Sequence, residues 1–277
     1  MNKKLSIITV NYNNQIGLKQ TINSVLSQNS PSDFEYIIID GGSTDGSKEL
    51  IETYADRLTY WVSEPDKGIY NAMNKAIRAA KGDYVYFLNS GDLLYDQTIV
   101  QKIEPYLDQT CGIYYGNLIY QEKDIQVPWI FPEQLSFSFF LTENINHQAC
   151  FIKRALFDEL FFYNEEYKIV SDWEFLIYAI CKRNIPYKHI DMLIAIYDTT
   201  GISSNANNRE AMNQDKNKTL QKYFPLFVQD YRNIDAIKLK RVQQFLFIKK
   251  FKPAWLALKG FMNIVLLFLP KFKKENA

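Results

Sequence analysis

Two periodicities alternate through the first ~110 residues of this 277-residue chain, and that alternation restricts the fold more than any other feature. Residues 5–10 (LSIITV) form an apolar run rich in β-branched side chains, which reads as a strand buried on both faces. Ile16, Ile22, Val25 and Leu26 follow at helical spacing. Further strands are expected over 34–39, 58–62 and 84–88. A short helix over 47–54 and a second carrying Ile69, Met73, Ala76 and Ile77 lie between them. Strands separated by helices build βαβ units and a parallel sheet. Ligands of open sheets bind beyond the carboxyl ends of the strands. Every polar cluster in this half (11–14, 40–45, 64–68 and 89–92) falls at such an end.

The stretch 111–200 is less regular. It offers strand-like pieces at 113–120, 149–152 and 193–197 and one helix over 172–181. From about 205 the pattern is helical and increasingly basic. No repeat or low-complexity linker interrupts the chain, so its parts are expected to pack as one unit. Apolar residues at 47% and charged residues at 23% exclude disordered, collagenous and disulfide-scaffold classes. A net charge of +1 gives no reason to invoke nucleic acid. Aromatic residues at 15% suit a surface for ring-shaped ligands and a Phe-rich core equally well.

Charge is unevenly distributed. Residues 236–277 hold ten Lys or Arg against one acid, Glu275, leaving 22 bases and 30 acids elsewhere, so an acidic body carries a basic tail. The three cysteines have no CxxC spacing and are expected to be free thiols in a reducing compartment. Lys3 and Lys4 precede an apolar run of six residues, short of the ~7–15 of a secretory h-region, so a first strand is the better reading.

Four clusters can carry chemistry. The segment 40–47 (DGGSTDGS) follows a strand and opens a helix, the geometry that binds phosphate or nucleotide, yet it matches neither GxGxxG nor GxxxxGK[ST]. Asp40 at the strand end can accept an N–H from a pyrimidine edge, and Asp45 is expected to cap the helix. In 89–92 (NSGD), Asp92 is either a hard-oxygen ligand for Mg²⁺ or Mn²⁺ or a turn residue bonding its own backbone. In 170–174 (VSDWE), Asp172 is either a general base or, with Ser171 as the alternative, a helix cap. His147 in Asn146-His147-Gln148 is one of two histidines, and no grouping has zinc spacing or a GxSxG elbow.

Taken in order, LSIITVNYN (5–13), SVLSQ (24–28), IIIDGGSTDGS (37–47), EPDKGIYNAMN (64–74), YFLNSGD (86–92) and SDWE (171–174) resemble family-2 glycosyltransferases. The likeness spans residues 3–204 and is nearest to bacterial members that build capsular, exopolysaccharide or lipopolysaccharide sugars. It implies a GT-A fold: a Rossmann-like, mostly parallel nucleotide-binding half (1–110) fused to an acceptor-binding half (111–204), with a helical basic extension (205–277). It implies a nucleotide-sugar donor, commonly a UDP-sugar, a divalent metal and inversion at the anomeric carbon. Position by position, Asp40 resembles the uracil-contacting carboxylate, and Val10, Asn11 and Tyr12 line base and ribose. Asp66 and Lys67 fall at the nucleotide or diphosphate, Asp92 in the metal-binding region, and Asp172 at the catalytic base. His147 and Gln148 are expected to face the saccharide acceptor, and 200–204 (TGISS) to lie near the active site. The usual acidic DxD cluster is reduced here to NSGD, and the usual Asp-Asp after the second strand to Asp40-Gly41.

Residues 254–270 (AWLALKGFMNIVLLFLP) lie between lysine clusters, and the longest uncharged run, 260–270, is eleven residues, well short of the ~20 that span a bilayer. A helix lying in the membrane interface is expected; a helix docked on the domain is the alternative. With the interface reading, the enzyme sits peripherally on the cytoplasmic face of the inner membrane, near a polyprenyl-diphosphate-linked acceptor. A sugar-1-phosphate nucleotidyltransferase and a catalytically inactive scaffold of the same fold are the competing readings. Residues 5–14 lack the glycines and basic residues of the former, and Asp40, Asp92 and Asp172 speak against the latter.

Overall fold

The computed structural model describes residues 4–30, 34–123, 125–199, 201, 208–228, 230 and 239–269. Residues 202–204 of the expected TGISS segment lie outside them, as does Thr200. Contacts divide the chain into two compact units, 1–219 and 220–277.

In the first unit β1 (Leu5–Asn11), β2 (Glu35–Asp40), β3 (Tyr60–Ser63) and β4 (Tyr84–Phe87) alternate with α1 (Gln15–Leu26), α2 (Ser47–Thr53) and α3 (Ile69–Ala79). The four strands pair in parallel, as the alternation demands. β1 and β2 are buried along their whole length because helices cover both faces. On α1, Leu18, Ile22 and Val25 are fully buried, and on α3, Met73, Ala76 and Ile77 are buried. Each large aliphatic side chain so covered contributes about 1.5–3 kcal/mol.

The sheet then continues without a linker: β5 (Leu93–Leu94), α4 (Ile99–Ile103), β6 (Ile113–Glu122), β7 (Ile125–Trp129), α5 (Phe137–Thr142), β8 (Cys150–Lys153), α6 (Ala155–Glu159), α7 (Ser171–Ile177), β9 (Tyr187–Asp198) and α8 (Arg209–Tyr223). Nine strands run in the order β3-β2-β1-β4-β8-β6-β9-β5, with β7 on β6. β8 enters antiparallel to both β4 and β6 while β6 and β9 are parallel, so the sheet is mixed beyond β4. The helix expected over 172–181 is α7 followed by a π-helical turn, Tyr178–Lys182. The three cysteines are free.

Register positions the site. β1 and β2 align Asn11 with Asp40, and β2 and β3 align Asp40 with Ser63, so three polar strand-end residues stand side by side. At the other side, pairing of Leu93 with Ile196 carries the segment after Asp92 to the carboxyl end of β9 at Asp198.

The second unit contains α9 (Lys240–Lys249) and α10 (Lys252–Leu266), joined by a short turn. Phe245 packs edge-on against Trp255 at 5.0 Å between ring centroids. Among the described residues no helix is long and apolar enough to cross a membrane.

Candidate active site

The sequence expects a ligand-binding turn at 40–47, and the structure builds it around Asp40. This side chain has no exposed surface. Its Oδ1 accepts from Asn11 Nδ2 (2.7 Å) and Ser43 Oγ (2.6 Å), and its Oδ2 from the Ser43 N–H (3.0 Å) and Ser63 Oγ (2.7 Å). Burial pushes the carboxyl up, but the bonds from Ser43, Ser63 and Asn11 outweigh it and hold it below the ordinary value. A carboxylate has about four acceptor sites, and all are filled. Asp40 thus shapes the turn, and in this structure its carboxylate is engaged by protein donors.

What it leaves open is its neighbour. Asn11 is buried, and its Oδ1 is a buried acceptor with no hydrogen-bond partner. Tyr12, 68% exposed, flanks it, whereas Val10 lies in the core. Gly41 sits between Tyr12 and Asp66: a Cβ there would stand 2.6 Å from Asp66 Oδ2 and 3.2 Å from the Tyr12 ring. The departure from Asp-Asp at this position is thus matched by close approach of the 64–68 loop. Asp66 turns that loop by accepting from the Gly68 N–H (2.8 Å), and Lys67 is exposed beside it. Asp45 does not cap α2. Gly46 holds the cap position at φ 93°, a conformation that favours glycine, while Asp45 accepts from Ser47 and from the Gln15 N–H.

Asp172 is the second centre, 8% exposed. It does not cap α7 either; Val170 precedes the helix and gives no side-chain bond. The carboxylate Oδ1 accepts from Tyr70 Oη (3.0 Å) and the Trp173 N–H (2.9 Å). Its Oδ2 stands 3.1 Å from His147 Nδ1, and His147 Nε2 stands 2.9 Å from Asn89 Nδ2. Lys216 of α8 lies over the Trp173 ring at 5.1 Å. Burial lowers the affinity of Lys216 for its proton, opposed by the charges of Asp172 and Glu143. Tyr70, Asn89 and Lys216 escaped sequence reasoning; Tyr70 and Asn89 lie inside the quoted motifs, whereas nothing local marks Lys216.

Asp92 is buried at 4% exposure. Its Oδ2 accepts from Gln148 Nε2 (2.8 Å) and its Oδ1 from the Asp198 N–H (3.0 Å). Gln148 is itself only 2% exposed and so serves Asp92 instead of facing an acceptor, because the short helical turn His147–Ala149 folds it inward. Burial raises the Asp92 carboxyl to about 6, and the nearby Asp198 carboxylate adds to the rise. Among the described residues no group of three His, Cys, Asp or Glu could hold a metal. Hard oxygens and mutual repulsion between Asp92 and Asp198 nevertheless suit a divalent cation whose remaining ligands come from phosphate.

The raised Asp92 value gives a stability prediction. The folded state binds this proton more tightly than the unfolded chain, so stability falls as pH rises from 3.8 to about 6. The ceiling is on the order of 2–3 kcal/mol. In chelator-treated protein Asp92→Asn is expected to raise Tm at pH 7.5 and flatten that pH dependence. The new amide can donate to Gln148 Oε1, now buried without a partner, once the Gln148 amide rotates. A lower Tm for the variant would refute this account of Asp92.

The profile of glycosyl transferase family 2 matches residues 6–161. The chain belongs to that family. It is 28% identical over 206 residues to a PGL/p-HBAD biosynthesis glycosyltransferase of Mycobacterium bovis, covering 72% of this chain and 78% of the relative. In structure it resembles S. aureus TarS 1-349 in complex with UDP-GlcNAc (TM-score 0.64, 19% identity, 91% of this chain and 80% of that one). It also resembles the mannosyltransferase PcManGT from Pyrobaculum calidifontis in complex with GDP-Man and Mn²⁺ (TM-score 0.63, 17% identity, 96% and 81%). These likenesses give a GT-A glycosyltransferase fold.

Proposed function

We propose that this chain transfers a sugar, with inversion, from a UDP-sugar to a hydroxyl of a saccharide acceptor, and that Asp172 is the general base. The observation that carries the reading is the fixed Asp172 carboxylate, held by Tyr70 from the mouth of α3 and linked through His147 to the turn after β4. A buried, anchored carboxylate tied to the first turn of α3 and to the turn after β4 supports the base role.

In this reading Tyr12 and the unpartnered Oδ1 of Asn11 receive the nucleoside, the latter by accepting an N–H or O–H of base or ribose. Asp66 and Lys67 approach the nucleotide or its diphosphate. Asp172 takes the acceptor proton as the acceptor oxygen bonds the anomeric carbon. The bond from that carbon to the diphosphate oxygen breaks, and its electron pair leaves with the nucleotide. Mg²⁺ or Mn²⁺ held by Asp92, with Asp198 beside it, would stabilise the charge on that leaving diphosphate. Behind His147, Tyr120 Oη donates to Asn146 (3.0 Å), and the Tyr120 ring stacks on Trp129 at 5.2 Å and 9°. Trp129 is 37% exposed, a rigid aromatic face suited to an acceptor ring.

Calorimetry with UDP, GDP and dTDP, with and without Mn²⁺, tests the donor side. UDP binding that strengthens with Mn²⁺ and weakens in Asn11→Ala supports the reading; no nucleotide binding would transfer the weight to an inactive scaffold.

The same proposal extends to peripheral association with the cytoplasmic face of the inner membrane, near a polyprenyl-diphosphate-linked acceptor. In α10 and the turn after it Leu256, Phe261, Ile264, Leu267 and Phe268 are exposed, while Lys249, Lys250 and Lys252 stand at the turn between the helices. Each lysine near an anionic surface is worth ~1 kcal/mol, so reversing all three to Glu is expected to weaken binding to phosphatidylglycerol-containing vesicles by about 100-fold or more. Co-sedimentation measures this, and binding unchanged by the substitutions would exclude a lysine-driven attachment.

A further inference from the structure

The His147 ring stands edge-on to Phe87, 6.4 Å between ring centroids, and has a polar partner at each nitrogen. Nδ1 faces the carboxylate oxygen of Asp172, and Nε2 faces the side-chain amide nitrogen of Asn89. The two contacts impose complementary demands. Asp172, accepting from Tyr70 and the Trp173 N–H on its other oxygen, can only accept, so Nδ1 must carry a proton. Asn89 Nδ2 can only donate, so Nε2 must be bare. One neutral tautomer satisfies both.

The turn that carries the ring is held from several sides. Tyr86 Oη donates to the Gln148 carbonyl (2.9 Å), Gln148 Nε2 donates to Asp92, and Tyr120 Oη donates to Asn146. A ring fixed this firmly between the base and the turn after β4 does more than fill space. We infer that His147 is a positioning residue: its Nδ1–H fixes Oδ2 of Asp172, and Asn89 sets the tautomer that supplies that hydrogen. This rests on the reading of Asp172 as base. It assigns His147 a contact with the base in place of the acceptor contact expected from sequence.

The consequence for catalysis is directional. With Oδ1 taken by Tyr70 and Trp173 and Oδ2 anchored by His147, the carboxylate cannot swing, and its one remaining acceptor site, on Oδ2, keeps one direction for the acceptor hydroxyl. Loss of the ring frees Oδ2 without touching either substrate.

The chain has two histidines, His147 and His189, so imidazole ¹⁵N–¹H correlation spectra of the full chain are assigned with one variant, His189→Gln. At pH 7.5 His147 is expected as the Nδ1–H tautomer. In Asp172→Asn, where an amide can replace Oδ2, it is expected to switch to Nε2–H. A wild-type ring in the Nε2–H form, a doubly protonated ring, or a tautomer unchanged in Asp172→Asn would each overturn the assignment.

Kinetics separate positioning from mere structure. His147→Ala is expected to lower kcat about 10- to 100-fold, with KM for donor and acceptor within about twofold. His147→Gln, whose amide can donate to the same oxygen, is expected to recover most of the loss. A raised acceptor KM at unchanged kcat would make His147 an acceptor contact, and equal loss in both variants at unchanged Tm would deny the hydrogen bond its role. Asp172→Asn, run alongside, distinguishes the two levels. An inactive Asp172→Asn with a fully active His147→Ala sinks only this inference, whereas an active Asp172→Asn sinks the reading of the base and the positioning role with it.

Discussion

Asp172→Asn is expected to cut sugar transfer by about 10²–10⁴-fold while leaving nucleotide affinity and Tm nearly unchanged. The lost factor is the proton acceptor: an amide cannot take the acceptor hydroxyl proton, and Tyr70 beside it is a donor whose hydroxyl is raised well above its ordinary value by burial and by the Asp172 charge. The fold should survive because the network can reverse. Asn at 172 keeps an oxygen for Tyr70 and the Trp173 N–H and turns its amide toward His147 Nδ1. The ring then shifts its proton to Nε2, and Asn89 rotates to offer Oδ1, which is buried and unpartnered in the present arrangement. Nucleotide affinity is expected to hold because the Asp40 turn shares no hydrogen bond with Asp172. The checks are transfer rate, UDP calorimetry and thermal melting on one preparation. Transfer near the wild-type rate would remove Asp172 from the mechanism.

The largest stability effect is expected at Asp40. Asp40→Ala leaves the Ser43 N–H without its acceptor and strips the charged partner from Asn11 Nδ2, Ser43 Oγ and Ser63 Oγ. Each buried donor left unpaired costs ~1–3 kcal/mol. Hydroxyls can rotate and Asn11 retains Ser43 Oγ at 3.3 Å, so the net loss is about 3–5 kcal/mol. Against a total stability of ~5–15 kcal/mol, that is enough to melt the turn or the domain. Asp40→Asn should be little better, because its amide would point at donors. The pH sign follows from the lowered carboxyl: its stabilisation is fully present above the ordinary value of 3.8 and is lost as pH falls through the folded-state value. Urea unfolding at pH 7 and at pH values stepped from 3.8 down toward about 2 measures both. Asp40→Ala within about 1 kcal/mol of wild type would show that the turn does not depend on this carboxylate. Nucleotide binding lost in Asp40→Ala is, by the same geometry, no evidence for a contact between Asp40 and the base; Asn11→Ala is the better probe.

Much of the first half was legible because its signals are local. An apolar β-branched run such as 5–10 can hardly be anything but a doubly covered strand, and it is buried from Leu5 to Asn11. The strand-end rule then placed Asn11, Asp40, Asp66 and the turn before Asp92 on one edge of the sheet. β5, of two residues, and β7, exposed along its length, carry no such signal. Asp45 shows the limit within a single turn: the residue type suited a cap, but the backbone at Gly46 took the position at φ 93°.

The amino-acid sequence by itself determined the class of fold, the edge of the sheet where polar groups gather, and Asp172 as the candidate base, because hydrophobic period and motif order act over a few residues. Only the tertiary structure decided what those groups do to one another. Asp40 is spent on Asn11, Ser43 and Ser63; Asp92 is latched by Gln148 and Asp198; Asp172 is held by Tyr70, 102 positions away, and by His147, 25 positions away. Hydrogen-bond partners are fixed by strand register and by the closing of β8 and β9 against the first half. Distances in sequence carry no record of either.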